Sequence, residues 1–394
     1  MKALIAGACG IALLIFYVVN AATPQDPSTP ATPAKVAARP GDPQSPSGWF
    51  TYHGGFSLDG VAATTLPDAP ERLWRFKVGN RVETTPVSSD GRVYFTSAKG
   101  GLFALDLEGR EIWKASIAPD SFTSPLLIAD GALIAASGKG QLRAYDPATG
   151  KEKWSYEVGG SVQGTPNRID LPGGKKGVMA ISSSDGVIHA VDLETGMGAW
   201  KTPGVERCDG SAGVGGGRIV MGSCASALHV YSMDKAEKIT DIPLGGDNQI
   251  AGGVALSGMT AFAGTRSGKF CAIDVGGAKM LWTNADNQGE SFMTPAVGER
   301  SAVFGSDDGK VYALDRGTGA KLWAFDTGNR PSSPVLAGGR VVVASGGALF
   351  LLDLQTGAKV WTAAVSDEIT SPAVVSGRII VGADDGTVSA YGKK

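Results

Sequence analysis

Short apolar stretches of four to six residues alternate with turn residues along most of the chain. Between Thr123 and Trp154 an apolar run follows Ser-Pro, and a turn falls at Asp130-Gly131. The run ALIAAS, a glycine-rich turn, the run LRAYD and a Thr-Gly turn follow in order, and the last strand carries Trp154. Runs of this length between glycine turns predict strands joined by hairpins.

The same unit recurs at intervals of about forty residues, which is the period of a four-stranded β-propeller blade. Its last strand is marked by Trp74, Trp113, Trp154, Trp200, Trp282, Trp323 and Trp361. In the long gap after Trp200 we place Ile239 at the tryptophan position, in a unit that has lost its indole. The count is then eight units. A single four-stranded sheet cannot bury both of its faces, so the units must pack together.

The two ends of the repeat complement each other. The eighth unit, SPAVVSGRIIVGADDGTVSAYGKK, stops after its third strand, and ERLWRFKVG around Trp74 supplies a strand of the missing type. An N-terminal strand that completes the last blade leaves no open gap in the ring. The sequence therefore predicts an all-β, eight-bladed β-propeller over residues 49–394.

A fixed spacing of Asp, Gly and Trp is explained by the turn before the last strand. The Asp side chain caps the turn, and the Gly permits a positive φ. A Trp on the outer strand packs against the neighbouring blade and buries on the order of 200 Å². We therefore interpret the seven repeated tryptophans as inter-blade packing residues. Small residues upstream leave room for the rings: Ala104, Ala144, Ala190, Ala272, Ala313 and Ala390.

The first 48 residues do not belong to the repeat. Residues 1–21 contain an apolar run from Ala3 to Val19, which fits a cleaved signal peptide or an uncleaved membrane anchor. Residues 22–48 are rich in Pro, Ala and Thr, a composition that favours extended polyproline II and predicts a tether. Both alternatives for residues 1–21 place the propeller outside the cytoplasm, in the periplasmic cell envelope.

Charge excludes one class of partner. The net charge is −2, and no basic run interleaved with aromatic residues occurs, so we expect no nucleic-acid binding.

The pattern A-x-D-x-x-T-G-x-x-x-W, at Ala144–Trp154, Ala190–Trp200 and Ala313–Trp323, resembles the tryptophan-docking motif of the pyrroloquinoline quinone (PQQ) repeat superfamily. The resemblance covers roughly residues 49–394 and includes the lead-in WFTYHGGFSLDG. One branch contains quinoprotein dehydrogenases, which hold PQQ and calcium on the propeller axis. The other is non-enzymatic and is typified by outer-membrane protein assembly factors of the BamB type. The length and the single propeller resemble the second branch.

Candidate catalytic and metal-binding motifs support no enzyme. The resemblance implies an adjacent cysteine pair in a PQQ dehydrogenase, and this chain has none. The segments Ser306–Gly309 and Ala383–Gly386 lack the alternating carboxylates of a calcium loop and predict hairpin turns. His189, His229 and Cys271 occupy equivalent positions of adjacent blades, too far apart for one metal. We expect no catalytic residue, no metal and no cofactor.

The four cysteines include one candidate pair. Cys208 precedes the first strand of blade four, and Cys224 follows the second, so the hairpin between them brings the two residues opposite each other. In an extracytoplasmic compartment this arrangement predicts a disulfide between Cys208 and Cys224.

Two similar loops are the candidate partner-binding residues. Asp247, Asn248 and Gln249 recur as Asp286, Asn287 and Gln288 in the next inter-blade loop, and polar loops on a rigid scaffold commonly carry binding function. The sequence therefore predicts a scaffold that binds envelope proteins and attaches to the membrane through its N-terminal segment. The alternatives are a PQQ- and calcium-dependent dehydrogenase and a propeller that binds an envelope glycan or another ligand.

Overall fold

The computed structural model describes residues 48–116, 122 and 124–394. The predicted signal or anchor segment 1–21 and residues 22–47 of the predicted tether lie outside the described residues. No helix in the described part of the chain is long and apolar enough to cross a membrane.

Eight antiparallel sheets, each an inner-to-outer succession of four strands, confirm the predicted eight-bladed propeller. The strands of blades one and two are Val87–Ser89, Arg92–Ser97, Gly101–Asp106, Glu111–Ser116, Leu127–Ala129, Ala132–Ala136, Gln141–Tyr145 and Glu152–Glu157. Those of blades three and four are Asn167–Asp170, Lys176–Ile181, Ile188–Asp192, Gly198–Lys201, Gly213–Gly215, Arg218–Gly222, Ala227–Ser232 and Lys238–Pro243. A short 3₁₀ turn, Pro172–Gly174, lies in the first hairpin of blade three.

The strands of blades five and six are Ala255–Ser257, Thr260–Gly264, Phe270–Asp274, Lys279–Asn284, Ala296–Val297, Ser301–Gly305, Lys310–Asp315 and Lys321–Asp326. Those of blades seven and eight are Val335–Ala337, Arg340–Ser345, Ala348–Asp353, Lys359–Ala364, Ala373–Val375, Arg378–Gly382, Thr387–Gly392 and, as the outer strand of blade eight, Glu71–Lys77. A two-residue strand, Val61–Ala62, adds to blade seven in parallel.

The ring closes through the outer strand of blade eight. Glu71–Lys77 pairs antiparallel with Thr387–Gly392, and Trp74 lies opposite Ala390 in the register that other blades use for their tryptophan. The N-terminal strand therefore completes the last blade, as the sequence predicts.

The hydrophobic core lies between neighbouring blades. One cluster joins Ile134, Ala144 and Trp154 of blade two to Val178 and Val191 of blade three, all of them buried. Because each blade is apolar on both faces, it is stable only between two others.

Five tryptophans dock on the next blade in the same way. In each case the indole Nε1 donates a hydrogen bond across the seam between two blades. The acceptor is the carbonyl oxygen of the residue that follows the turn aspartate of the next blade. The Nε1–O distances are 2.8 Å for Trp74–Leu107, 3.1 Å for Trp113–Pro147, 2.9 Å for Trp154–Leu193, 3.0 Å for Trp282–Arg316 and 2.9 Å for Trp323–Leu354.

Blade four departs from this pattern. Thr240 pairs with Val230 in the register in which Trp200 pairs with Ala190, so Thr240 and not Ile239 holds the tryptophan position. Our placement of Ile239 is wrong because Ser232, rather than Asp234, occupies the site of the turn aspartate. The Ser232 N–H donates to Glu237 O at 2.9 Å, in the position of the corresponding Asp192 bond.

The seams on both sides of blade four are consequently incomplete. Trp200 of blade three points its Nε1 into a buried site without a hydrogen-bond partner. On the other side, blade five has Ala278 four residues after Asp274, where Gly196 stands four residues after Asp192. Ala278 has a φ of 50°, so the turn keeps its shape although no tryptophan reaches it. Blade four therefore lacks the docking tryptophan, and blade five lacks the glycine that would receive it.

Residues 49–65, which we call the strap, circle the axis against the inner strands. Strap carbonyl oxygens accept hydrogen bonds from the second residue of five different first strands. The N–O distances are 2.9 Å for Ile128–Phe50, 2.9 Å for Val214–Phe56, 2.8 Å for Leu256–Ser57, 2.7 Å for Val297–Asp59 and 2.8 Å for Leu336–Gly60.

The other three blades also contact the strap. Trp49 and Ser88 of blade one exchange two backbone bonds, and the Gly377 N–H of blade eight donates to Thr64 Oγ1 at 3.0 Å. In blade three, Asn167 Nδ2 donates to Phe56 O at 2.7 Å. The strap thus satisfies inner-edge amides that face the axis and would otherwise lack partners.

His53 fixes the strap to blade seven. Its ring is fully buried, with Nδ1 2.8 Å from Leu58 O and Nε2 2.8 Å from Pro334 O. Burial lowers the pKa of His53, and the two carbonyl contacts only partly oppose that effect.

Candidate partner-binding face

The connections between blades and the turns between second and third strands meet on one side of the ring, which we call the loop face. Backbone bonds join the two sets: Arg266 N–H donates to Gln249 O at 2.9 Å, and Asp307 N–H donates to Glu290 O at 2.8 Å. Turns between first and second strands lie on the opposite side, the hairpin face. The backbone bonds hold the loop face as a connected surface.

The first candidate loop presents only part of its polar sequence to solvent. Asp247 is exposed and Gln249 is half-buried. Asn248 is 6% exposed, donates from Nδ2 to Leu244 O at 2.9 Å and accepts from the Ser267 hydroxyl. Asn248 therefore shapes the loop and is not available to a partner, which corrects the sequence-based expectation.

The second candidate loop repeats this division. Asn287 is 5% exposed and donates from Nδ2 to Gly289 O at 2.7 Å, so it too is a loop-shaping residue. Asp286 and Gln288 are exposed, and Asp286 lies 3.7 Å from Lys321 Nζ.

Asp308 anchors this second loop from blade six. Its Oδ2 accepts the Gln288 N–H at 3.0 Å and the Tyr312 hydroxyl at 2.6 Å. Burial alone would raise the pKa of Asp308, but the hydrogen bonds from Tyr312 and Gln288 outweigh it and lower the pKa. The carboxylate therefore stays ionised at neutral pH and keeps the Gln288 backbone in place.

An aromatic residue between two arginines lies on the same loop. The guanidinium carbon of Arg266 is 5.4 Å from the Phe292 ring centroid, and that of Arg330 is 5.2 Å from it. Sequence analysis missed this cluster. The sequence signal was weak, because Phe292 stands at a position that holds Gln163 in blade three and Asp209 in blade four but Phe122 in blade two.

The two arginines differ in their charge partners. Arg330 Nε lies 2.8 Å from Asp307 Oδ1. Arg266 is exposed, and none of the ion pairs between described residues includes it. The guanidinium of Arg266 is held over an aromatic face and remains open to a carboxylate from outside.

In blade four a serine, a histidine and an aspartate form a chain of two hydrogen bonds. Ser223 Oγ is 2.8 Å from His229 Nε2, and His229 Nδ1 is 2.6 Å from Asp241 Oδ1. The order and distances resemble those of a hydrolase triad. However, Ser223 is fully buried and its Oγ accepts the Ala225 N–H at 3.0 Å, so the hydroxyl cannot meet a substrate in this structure.

The three cysteines among the described residues form no bond with one another. The predicted disulfide is absent: Cys208 and Cys224 are free thiols, as is Cys271. Cys208 is 1% exposed, its Sγ lies 2.9 Å from Gly222 O, and Cys224 is near enough to contribute to raising the Cys208 pKa.

A dehydrogenase of the PQQ branch would need residues that hold PQQ and calcium. No group of three or more His, Cys, Asp or Glu side chains among them is arranged to hold a metal ion. Tyr52 of the strap reaches the start of blade six, where its hydroxyl meets that of Thr294. Burial raises the pKa of Tyr52 to about 12, so its hydroxyl stays neutral. The part of the chain that the structure describes therefore offers no carboxylate or imidazole cluster for the calcium ion.

Sequence comparison finds two kinds of relatives, and the alignments cover very different shares of them. The chain is similar to the outer membrane protein assembly factor BamB of Burkholderia pseudomallei, with 28% identity over 292 residues that cover 69% of this chain and 74% of the relative. Its similarity to the quinohemoprotein alcohol dehydrogenase of Comamonas testosteroni is 26% over 197 residues, which cover 46% of this chain and only 22% of that enzyme.

Solved structures support the fold alone. BamB from Moraxella catarrhalis superimposes with a TM-score of 0.70 and 21% identity, covering 82% of this chain and 98% of that one. The Comamonas dehydrogenase gives a TM-score of 0.73 and 14% identity over 88% of this chain and 81% of the enzyme.

A family model described as "Outer membrane protein assembly factor BamB" matches residues 67–116, 98–325, 184–368 and 307–394. These overlapping matches extend over all eight blades, and the chain belongs to the BamB family of outer membrane protein assembly factors.

Proposed function

We propose that this chain is a non-catalytic scaffold of the extracytoplasmic cell envelope, which binds protein components of outer-membrane protein assembly through its loop face. Membership of the BamB family supports a role in outer-membrane protein assembly. The relative from Burkholderia is named as an outer membrane protein assembly factor. Attachment to a membrane through residues 1–21 remains part of the proposal.

The observation that carries the choice of face is the Arg266–Phe292–Arg330 cluster beside exposed Asp286 and Gln288. Aromatic residues and arginines are enriched at protein interfaces and dominate their binding energy. Here they lie on loops fixed by backbone bonds, so little ordering is needed on binding.

The test is complementation in a strain that lacks the gene. The readout is the amount of folded β-barrel protein in the outer membrane, measured by heat-modifiable migration. We expect the wild-type chain to restore it and a double variant, Arg266→Glu with Phe292→Ala, to fail. Arg300→Glu is the matched control, because Arg300 is exposed in the first hairpin of blade six, on the opposite face.

Equal protein levels and equal thermal stability of the variants are required for the comparison. Full rescue by the double variant would contradict the assignment of the loop face. Absence of any barrel-assembly defect in the deletion strain would contradict the proposed process.

We also propose that PQQ and calcium take no part. Titration of the purified chain with both, followed by tryptophan fluorescence and dye-linked alcohol oxidation, should be flat. Saturable binding with turnover would contradict the scaffold proposal.

A further inference from the structure

A groove opens on the hairpin face between the strap and blades one to three. Its volume is about 550 Å³, and its lining includes Phe50, Phe56, Tyr94, Ile128 and Pro147. We call it the aromatic groove. Phe50 and Phe56 of the strap are half-buried, with ring centroids 6.2 Å apart.

The walls of the aromatic groove are fixed by contacts to several elements. The Tyr94 hydroxyl donates to Pro147 O at 3.1 Å, which joins blade one to blade two. Arg168 of blade three lies 6.0 Å from the Phe56 ring centroid and bonds Asp130 of blade two at 3.0 Å. The groove is therefore preformed, and binding in it requires little rearrangement.

The sequence immediately before the strap has a strict period. Prolines occur at every third position in two runs, 24, 27, 30 and 33, and then 40, 43 and 46. A polyproline II helix has three residues per turn, so prolines at this spacing form one continuous edge. Both runs lie outside the described residues, and the period is a property of the sequence.

We propose that the edge formed by Pro40, Pro43 and Pro46 docks in the aromatic groove of the same chain. Aromatic-lined grooves bind segments of this spacing because the extended helix is preordered and loses little entropy. The position of the chain supplies the second argument. Pro46 is two residues from Gly48, and a β-carbon on Gly48 would lie 2.3 Å from the Phe50 ring.

The short connection favours this occupant over a separate molecule. Two modules joined by a short linker meet at an effective concentration in the millimolar range. A contact with a dissociation constant below the millimolar range is then occupied most of the time. The inference is independent of the proposed function, since it concerns only contacts within the chain.

The test uses the full-length protein in detergent with a photoreactive benzoylphenylalanine at Gln44, between two of the prolines. We expect an intramolecular cross-link to peptides that contain Phe56, Ile128 or Pro147. The triple variant P40A/P43A/P46A should lower its yield by about tenfold, equivalent to about 1.4 kcal/mol. The matched control P24A/P27A/P30A removes the same number of prolines and should leave the yield unchanged.

A variant of the groove gives independent evidence. Phe56→Leu keeps an apolar side chain but removes the ring, and it should lower the same cross-link without a large change in melting temperature. Cross-links outside the groove, or a yield unaffected by P40A/P43A/P46A, would overturn the proposal. Cross-linked dimers that increase with protein concentration would also overturn it, because the occupant would then be a second copy.

Discussion

A β-carbon on Gly196 would lie 2.6 Å from the indole of Trp154, and the two residues belong to neighbouring blades. The same contact recurs between Gly109 and Trp74, Gly150 and Trp113, Gly319 and Trp282, and Gly357 and Trp323. In these five pairs the glycine therefore receives the tryptophan of the preceding repeat. Its spacing to the tryptophan of its own repeat follows from the common period of the blades.

Replacing Gly196 by Ala should loosen the seam between blades two and three. The new methyl group meets the Trp154 ring and must also adopt a φ of 73°. We expect a loss of about 2–4 kcal/mol, combining overpacking with backbone strain. Urea unfolding monitored by tryptophan fluorescence measures it.

Gly131→Ala is the matched control for that experiment. Gly131 has a φ of 76° and nothing within 4 Å of a β-carbon, so the change adds strain without a clash. We expect a cost of about 1 kcal/mol, the usual strain of a left-handed residue. Equal losses at Gly196 and Gly131 would show that the indole contact is unimportant.

The missing contact between blades four and five should be restorable. Thr240→Trp alone places an indole against the methyl group of Ala278, whereas Ala278→Gly alone relieves a positive φ of 50°. The double variant should be more stable than the sum of the single changes by about 1 kcal/mol or more, measured as a double-mutant cycle. Additive effects would mean that Thr240 does not correspond to the docking tryptophans.

Acidification should weaken the strap. Burial lowers the pKa of His53 below its ordinary 6.5, so the unfolded chain binds the proton more readily than the folded chain. Stability contributed by neutral His53 is therefore present above about pH 6.5 and declines as the pH falls below it.

The measurement is the melting temperature between about pH 7.5 and about pH 5.5, the range around the ordinary histidine pKa. His53→Gln should lower the value at the higher pH and show a flatter dependence. Parallel curves for the wild type and His53→Gln would assign the pH dependence to other groups.

The cysteines should behave as thiols. Burial raises the pKa of Cys208 to about 12, so we expect no alkylation of Cys208 in the native protein near neutral pH. After denaturation without reductant, peptide mass mapping should find Cys208 and Cys224 each alkylated. A linked pair of these two peptides would restore the disulfide hypothesis.

The architecture was predictable because eight repeats carry the same signal. The closing strand was predictable from Trp74, which resembles the outer strands of the other blades and stands where the last repeat lacks one. The strap was not predictable, because residues 49–65 follow neither the strand period nor the blade repeat. Its course depends on backbone carbonyls that meet amides of distant blades.

The direction in which loop side chains point could not be predicted from the sequence either. Asn248 and Asn287 have the composition of a binding loop, yet each bonds a backbone carbonyl inside its own loop. The tryptophan position of blade four was assigned to Ile239, one residue before Thr240, which holds it. The error arose because Ser232 replaces the aspartate that marks the turn in other blades. Phe292 was overlooked because its significance comes from Arg266 and Arg330, which lie in other loops.

Photo-cross-linking in living cells tests the central claim, that the loop face binds an envelope partner, most directly. A benzoylphenylalanine at exposed Gln288 should yield a covalent adduct with a protein component of outer-membrane assembly, identified by mass spectrometry. The same residue at Lys151, an exposed position in the turn between the third and outer strands of blade two, should yield none. Adducts at both positions in equal yield, or no such adduct at Gln288, would contradict the account.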